Sequence, residues 1–511
     1  VRPFLVSEGP SGILSLRFQG AELPAQYVPD CDLDKTLAML MRFYGLRAAN
    51  GKTLKENYRE RGFNWFSTRV GFLYWRACYR LVQYGPLLSL CLEKNLRPVF
   101  RGSGNFSRLW AMLHGKKERS LTQWWRYERR LPRHNRRVVE QNRGGLLFYR
   151  YGPKDFRSRE MLEHFQARGV PLVQTFTPSL KRLQQARQQD HPSYVFYRPH
   201  ARENAFGHEY DLSGLEPLER RLARAVIPLM EEDVTAMLRQ YERYLEDLAL
   251  LRPQAFFGLD DHNMVYPMLY ACRELGVPTI GYQLGMYSRL QAAYTLEGWE
   301  PGEYDWYDHV ICWGRYWEDV IRKHSRAYPE GFFLQGTNKL KLSYQRLESE
   351  DFHPRNVLVP FEFFANTHKN GLYLRALMDN GFRVHLKLRP DQPPAAQMAS
   401  YLLPPEYRER VVPVYEITDE LMARMNVVAG SMSTLLFDLL PYGKETWVFD
   451  TEFGLLRDMV EDGFARLVRL EDIPRLEPPA RADKRMDYAY LFNDMSLGQA
   501  LDRHVLPRMR G

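Results

Sequence analysis

The stretch Asn426–Thr451, NVVAGSMSTLLFDLLPYGKETWVFDT, decides how this chain is read. It runs as a buried strand, a small polar turn, a short helix and a second buried strand. Short apolar runs joined through a helix belong to parallel sheets, whose strands are covered on both faces. The turn gathers Gly430, Ser431, Ser433 and Thr434 at the carboxyl end of its strand. In an open parallel sheet that edge is where ligands bind, because loops there feed helix N-termini whose free N–H groups favour anions.

Working outward, the same unit recurs. GLLFYRY (145–151), a helix over 158–168 closed by Gly169, and VPLVQTF (170–176) form one strand–helix–strand unit. QAFFGL (254–259), the turn DDHN, a helix with Val265, Met268, Leu269 and Cys272 at helical spacing, and VPTIGYQLG (277–285) form another. HVICWG (309–314) leads into a helix carrying Tyr316 and Trp317, and GFFLQGT (331–337) follows it. After a polar stretch near 340–354 the pattern restarts with NVLVPFEFF (356–364), a helix to Asn380 ended by Gly381, RVHLKLRP (383–390) and a weaker strand, RVVPVY (410–415). Residues 486–510 read as a C-terminal helix. The expected class is α/β with parallel sheets between helices. The restart divides a first domain, 1–335, from a second, 336–480, with 481–511 a helix expected to cross back to the first. Residues 60–143 are expected to be a basic, aromatic insertion in the first domain.

A chain of 511 residues, 45% of them hydrophobic, can bury a large core in two or more domains. A net charge of +9 favours an anionic partner without choosing between nucleic acid, lipid headgroup and phosphorylated small molecule. Residues 116–143 carry ten Lys or Arg against three acidic residues, interleaved with Trp124, Trp125 and Tyr127. This is either a solvated helical face or a surface that docks on an anionic membrane. No nucleic-acid-binding pattern accompanies the charge, so nucleic acid is not expected as a partner. Five cysteines without a C-x-x-C pair, and a start without a signal-peptide pattern, fit the cytoplasm. The most membrane-like segment, Phe72–Leu92, is broken by Arg76, Arg80, Gln83, Gly85 and Pro86, so it is expected not to span a bilayer but to be a core helix, the alternative being an amphipathic surface helix with Trp65, Phe66, Tyr74, Trp75 and Tyr79 as interfacial aromatics.

The turn after the opening strand offers phosphate chemistry. Gly430 clears space for close backbone approach, and Ser431, Ser433 and Thr434 supply hydroxyls and amides, although helix capping by Ser433 or Thr434 accounts for the same residues. Asp438, one helical turn beyond Thr434, is expected to accept from a ribose hydroxyl. KLRPD sets Lys387 and Arg389 on one face of a strand just before Pro390, so that two cations address one phosphate. A third strand end brings Glu362, with Asn366 and Thr367 as cap candidates for the next helix.

The order apolar strand, helix, K-x-R-P, then G-S-x-S-T-x-x-x-D before a small helix and strand resembles the nucleotide-binding domain of bacterial GT-B glycosyltransferases. More narrowly, residues 250–470 are similar to enzymes of capsule and lipopolysaccharide assembly that use CMP-activated acidic sugars, Kdo and sialic acid transferases among them. Those enzymes contact the nucleotide through a His-Pro pair after a strand and a Ser-Ser or Ser-Thr pair before a helix. Here Arg389 stands in place of that histidine, and in GYQLGMY Leu284 replaces the histidine of a related Q-H-G strand end. Arginine still neutralises phosphate, but it does not transfer a proton.

The resemblance implies a GT-B fold of two Rossmann-like domains whose parallel sheets face across a cleft. It implies a nucleotide-sugar donor held by Lys387, Arg389, Pro390, Glu362, Gly430, Ser431, Ser433, Thr434 and Asp438, with no cofactor and no metal. The first domain should bring the acceptor and a carboxylate. Asp260 and Asp261 follow a buried strand, close to Tyr282 and Gln283 at the next strand end. Adjacent carboxylates raise one another's pKa, which suits a general base, and an ionised one can attack an anomeric carbon. Capping of the following helix is the structural alternative, and His262 is a weaker candidate base. The implied reaction moves Kdo from CMP-Kdo to a surface glycan, free or lipid-linked, on the inner face of the cytoplasmic membrane. Two rivals stay open: a polyol-phosphate transferase using CDP-glycerol, and an inactive scaffold that binds glycan or lipid through 116–143.

Overall fold

The computed structural model describes residues 2–509 except 10, 19–22, 116–120, 153, 154, 156, 157, 189, 190, 198–203, 261–264, 338–343, 363–366, 391, 485 and 486; of 121–129 it describes the backbone alone. The chain opens on a sheet that no apolar run announced. Strands β1 (Arg2–Glu8), β2 (Leu14–Arg17) and β3 (Gln26–Tyr27) come first, then a small hairpin, β4 (Arg59–Glu60) with β5 (Phe63–Asn64), and then β6 (Leu96–Arg101). The sheet order is β3-β2-β1-β6, with β1 antiparallel to β2 and parallel to β6. Phe4, Val6, Leu14 and Leu16 turn one face into the core, the alternation of a half-buried sheet.

Phe72–Leu92 is a core element, as its interrupting polar residues led us to expect. A π-helical turn, Phe72–Cys78, runs into an α-helix, Tyr79–Glu93, and buries Tyr74, Tyr79, Leu81, Tyr84 and Leu88. Among the described residues no helix is long and apolar enough to cross a membrane. The basic helix Leu121–Gln141 lies along the sheet edge at residues 193–195: Asn135, fully buried, donates to the Val195 carbonyl (2.8 Å) and accepts from its amide (3.1 Å). Arg133, Arg136 and Arg137 point to solvent.

The second sheet holds β7 (Leu146–Arg150), β8 (Leu172–Phe176), β9 (Ser193–Val195), β10 (Ala255–Leu259), β11 (Thr279–Tyr282), β12 (His309–Cys312) and β13 (Phe333–Gln335). All its pairings are parallel, in the order β13-β12-β11-β10-β7-β8-β9. A 35-residue helix, Pro217–Leu251, carries the chain from β9 back to β10. The third sheet holds β14 (Asn356–Pro360), β15 (Arg383–Lys387), β16 (Val412–Val414), β17 (Val427–Gly430), β18 (Glu445–Phe449) and β19 (Arg466–Val468). It too is wholly parallel, in the order β16-β15-β14-β17-β18-β19. The strand order reverses between β7 and β10 in one sheet and between β14 and β17 in the other. These are the two topological switch points, where a doubly wound sheet opens a crevice at its carboxyl edge.

The C-terminal segment is two short helices, Tyr488–Phe492 and Leu497–His504, rather than one. Asn493, at φ +60°, ends the first, and Ser496 starts the second with a capping box to Gln499. The pair packs on the first domain. Trp317 Nε1 donates to the Leu491 carbonyl (2.8 Å), His504 Nε2 lies 2.7 Å from the Gln335 carbonyl, and His164 Nε2 lies 2.8 Å from Asp502.

Candidate active site

The carboxyl edges of the two parallel sheets meet. The loop after β11 reaches the turn after β17, where the Met286 amide donates to Thr434 Oγ1 (3.4 Å). Farther along, the Arg289 amide donates to Asp458 (2.9 Å) and the Tyr316 hydroxyl to Asp462 (3.0 Å). Parallel pairing places the ends of β14, β15 and β17 on one edge, so Arg389 and Ser433 lie on the same side of the sheet. Only β14 separates their strands, a span of about 10 Å at ordinary strand spacing.

The turn itself is occupied by a carboxylate of the chain. Glu362, two residues past β14 and 2% exposed, accepts from the amides of Ser431 (3.0 Å), Met432 (2.7 Å) and Ser433 (2.8 Å). It also accepts from the Ser431 hydroxyl (2.6 Å) and from Asn370 Nδ2 (2.7 Å). Burial pushes the Glu362 carboxyl above its usual range, against the pull of these hydrogen bonds. The expectation that these amides face a phosphate is thereby revised: their acceptor is Glu362. Gly430 is small for the same reason, since a Cβ there would stand 2.9 Å from Glu362 Oε1. Ser433 caps the helix Leu435–Asp438 locally, its Oγ accepting from the Leu435 amide (3.2 Å). That leaves the Thr434 amide and the Ser433 and Thr434 hydroxyls, all on half-buried residues, as the turn's outward donors.

Asp438 is a second revision. At 1% exposed it is packed inside, where its charge and burial both raise the Tyr344 phenol, so it is not open to a ribose. Lys387 and Arg389 are half-buried on the strand face opposite the core residues Leu386 and Leu388. Lys387 Nζ donates to the Leu388 carbonyl (2.7 Å), and burial lowers its pKa, opposed by Glu416 and reinforced by Arg389. The buried Gln397 amide brackets the Arg389 backbone, accepting from its N–H (2.8 Å) and donating to its carbonyl (2.9 Å), with Pro390 exposed beyond it. Sequence reasoning passed over Tyr415, 66% exposed just past β16 and next to this strand end. An aromatic closing an apolar run at a strand's carboxyl end was its signal.

Across the boundary, the first domain's polar residues hold its own loop. Asp260 is fully buried, and its carboxylate accepts from the Leu284 amide (2.7 Å) and the Tyr287 hydroxyl (2.6 Å). Burial and this carboxylate keep the Tyr287 phenol protonated. Gln283 accepts from the Trp313 amide (2.9 Å) and donates to the Gly285 carbonyl (2.8 Å), and the Tyr282 hydroxyl donates to the Thr337 carbonyl (2.6 Å). All three side chains are interior braces. Thr367 likewise donates to the Glu362 carbonyl (3.0 Å). Asp261, His262 and Asn366 lie outside the described residues.

No family model matches the chain, and no curated protein matches it. Among solved structures it is similar to MurG of Acinetobacter baumannii, at 13% identity and a TM-score of 0.42, over 72% of this chain and 97% of that one. It is similar to UDP-GlcNAc 2-epimerase of Neisseria meningitidis, solved with UDP-GlcNAc, at 12% identity and a TM-score of 0.42, over 72% of this chain and 100% of that one. A third, UGT89C1 of Arabidopsis thaliana solved with UDP-L-rhamnose, gives 11% identity and a TM-score of 0.36, over 72% and 93%. The architecture is α/β of the GT-B kind: two doubly wound parallel sheets whose carboxyl edges meet, with an added N-terminal sheet.

Proposed function

We propose that the chain is a glycosyltransferase that takes a sugar from a nucleotide donor held where the two carboxyl edges meet. One observation carries this reading: two cations, Lys387 and Arg389, and the outward donors of Ser433 and Thr434 share one sheet edge, and Thr434 touches the opposite domain. In such a site the cations neutralise the donor's phosphate and stabilise the charge that develops as the sugar departs. Tyr415 is placed to stack on a base. Both oxygens of Asp260 serve the loop after β11, so the carboxylate we propose as base or nucleophile is Asp261, and Asp260 is its neighbouring brace. The finer identity rests on sequence resemblance: Kdo from CMP-Kdo as donor, a bacterial surface glycan as acceptor, no metal, and work at the inner face of the cytoplasmic membrane.

Thermal melting with CMP, CDP, UDP and GDP is the direct test, because a ligand of the folded state raises the midpoint and the base names the donor class. One nucleotide should raise the wild-type midpoint, and Arg389→Ala combined with Ser433→Ala should abolish the rise, with the unliganded midpoint lowered only by the loss of the Ser433 cap, about 1 kcal/mol. A wild-type protein indifferent to all four at millimolar concentration would end the proposal.

A further inference from the structure

We infer that the chain carries a second anion site, for a phosphoryl group, at the amino edge of the third sheet, on the far side from the cleft. Two segments connect the domains there. One, containing Arg346, leads from β13 to β14, and the other, 481–484, leads from β19 back to the C-terminal helices. Together with Tyr442 and Lys444 they enclose a cavity of about 330 Å³. The segments are tied to one another. The Arg346 guanidinium pairs with Asp483 and donates to the Lys484 carbonyl (3.4 Å) and the Tyr488 hydroxyl (3.1 Å). Arg481 pairs with Glu348 at 3.3 Å. Gly443, at φ +69°, lets the chain pass beneath, since a Cβ there would meet the Lys484 carbonyl at 2.9 Å and Arg346 Nη2 at 3.0 Å.

Lys444 is the group these pairings leave out. Its ammonium is half-buried and, among the described residues, has neither a hydrogen bond nor an ion pair, whereas neighbouring Lys484 is paired with Glu445 at 3.0 Å. Three cations, Arg346, Lys444 and Arg481, line the cavity against Asp483 and Glu348, and Glu348 is 89% exposed and weakly coupled. One positive charge is therefore unbalanced. Burial, then Arg481 and Arg346, lower the Lys444 pKa to about 8, with Asp483 opposing, so an anion entering the cavity would favour the charged form. A phosphoryl group suits the set, because its oxygens can accept from an ammonium and from forked guanidinium donors together. The strands between this edge and the cleft are four and five residues long, placing the two sites about 15 Å apart. The inference therefore stands or falls separately from the nucleotide site.

The test follows lysine side-chain carbons by NMR in the full chain, with inorganic phosphate in one arm and glucose 1-phosphate in the other. One lysine titrating near pH 8 should move upward by about one unit as phosphoryl anion is added, because the bound charge favours the ammonium. Lys444→Met should remove that resonance and weaken calorimetric binding at least tenfold, Lys444→Arg should keep binding, and Arg389→Ala should leave the shift in place. Binding in the inorganic phosphate arm alone assigns a free-phosphate site, and tighter binding of glucose 1-phosphate assigns a sugar phosphate. No response in either arm, wild-type affinity in Lys444→Met, or loss of the response in Arg389→Ala each overturns it.

Discussion

Glu362→Ala asks what holds the Ser431–Thr434 turn in shape. Alanine abandons three backbone amides, the Ser431 hydroxyl and the Asn370 amide at a site 2% exposed. Each stranded buried donor costs about 1–3 kcal/mol. The hydroxyl can turn away and water can enter the polar void, so the net loss should be about 3–5 kcal/mol, the range for removing one partner of a buried charged cluster. Glu362→Gln keeps the shape. Its oxygen can face the three amides, and its NH₂ can face Ser431 Oγ, which can turn to accept. It can also face Asn370, whose Oδ1 is buried without a partner and would come round on an amide flip. Only charge assistance is lost, about 1–2 kcal/mol. With the whole chain of 511 residues unfolding as one unit, melting followed by circular dichroism should show a midpoint about 3–5 °C lower for alanine and about 1–2 °C lower for glutamine. Glutamine should bind nucleotide within a few-fold of wild type, because a ligand meets the outer donors. Equal losses in the two variants, or an unchanged midpoint for alanine, would refute the account of the turn.

Asp260→Asn sets an amide against the Leu284 N–H or the Tyr287 hydroxyl, so it should lower the melting midpoint by an amount worth about 1–3 kcal/mol. Asp261→Asn should leave the midpoint alone and stop transfer, read as nucleotide release; retained turnover in that variant removes Asp261 from the mechanism. Gly430→Ala should destabilise by about 1–3 kcal/mol, because its methyl at 2.9 Å from Glu362 Oε1 and 3.1 Å from Leu436 Cδ1 drives the carboxylate off its amides. Denaturant unfolding measures this directly, and a neutral result would mean that Glu362 can settle elsewhere.

The parallel sheets were legible because most of their strands are buried on both faces and end in turn residues: β7, β8 and β10 to β18 each fall within an apolar run read from the sequence, although β13, β15 and β16 keep a partly exposed face. The strands that escaped lack that contrast. β1 and β2 alternate buried and exposed residues, and β9 and β19 are three-residue edge strands. The helix Pro217–Leu251 was legible in principle from its periodic apolar stripe, but it interrupts the strand–helix rhythm that organised the reading. In the site, cation placement follows from strand alternation, so Lys387 and Arg389 could be paired from sequence. The partner of the Ser431 turn could not, because Glu362 is 69 residues away and nothing local to the turn announces a carboxylate from the next strand. The adjacency of β14 and β17, together with a glycine ending β17, is the information that would have placed it.

Both sheets use a carboxylate of the chain to tie off amides at their carboxyl edges, and in the third sheet that tie spans the switch point. At the end of β10 the Asp260 carboxylate takes the Leu284 amide, and just beyond β14 the Glu362 carboxylate takes three amides of the neighbouring turn. Backbone amides at strand ends are obligatory donors that need an acceptor whether or not a ligand is present. A built-in carboxylate supplies one at all times, and it also withdraws the innermost amides from any ligand. A phosphate at the β14–β17 edge is then held chiefly by Lys387 and Arg389, whose charges are half-exposed and screened by salt. Nucleotide affinity here should therefore fall more steeply with ionic strength than in a site built on backbone amides. The bound donor should also report on domain contact, because the Thr434 hydroxyl, one of the turn's outward donors, accepts from the Met286 amide of the opposite domain.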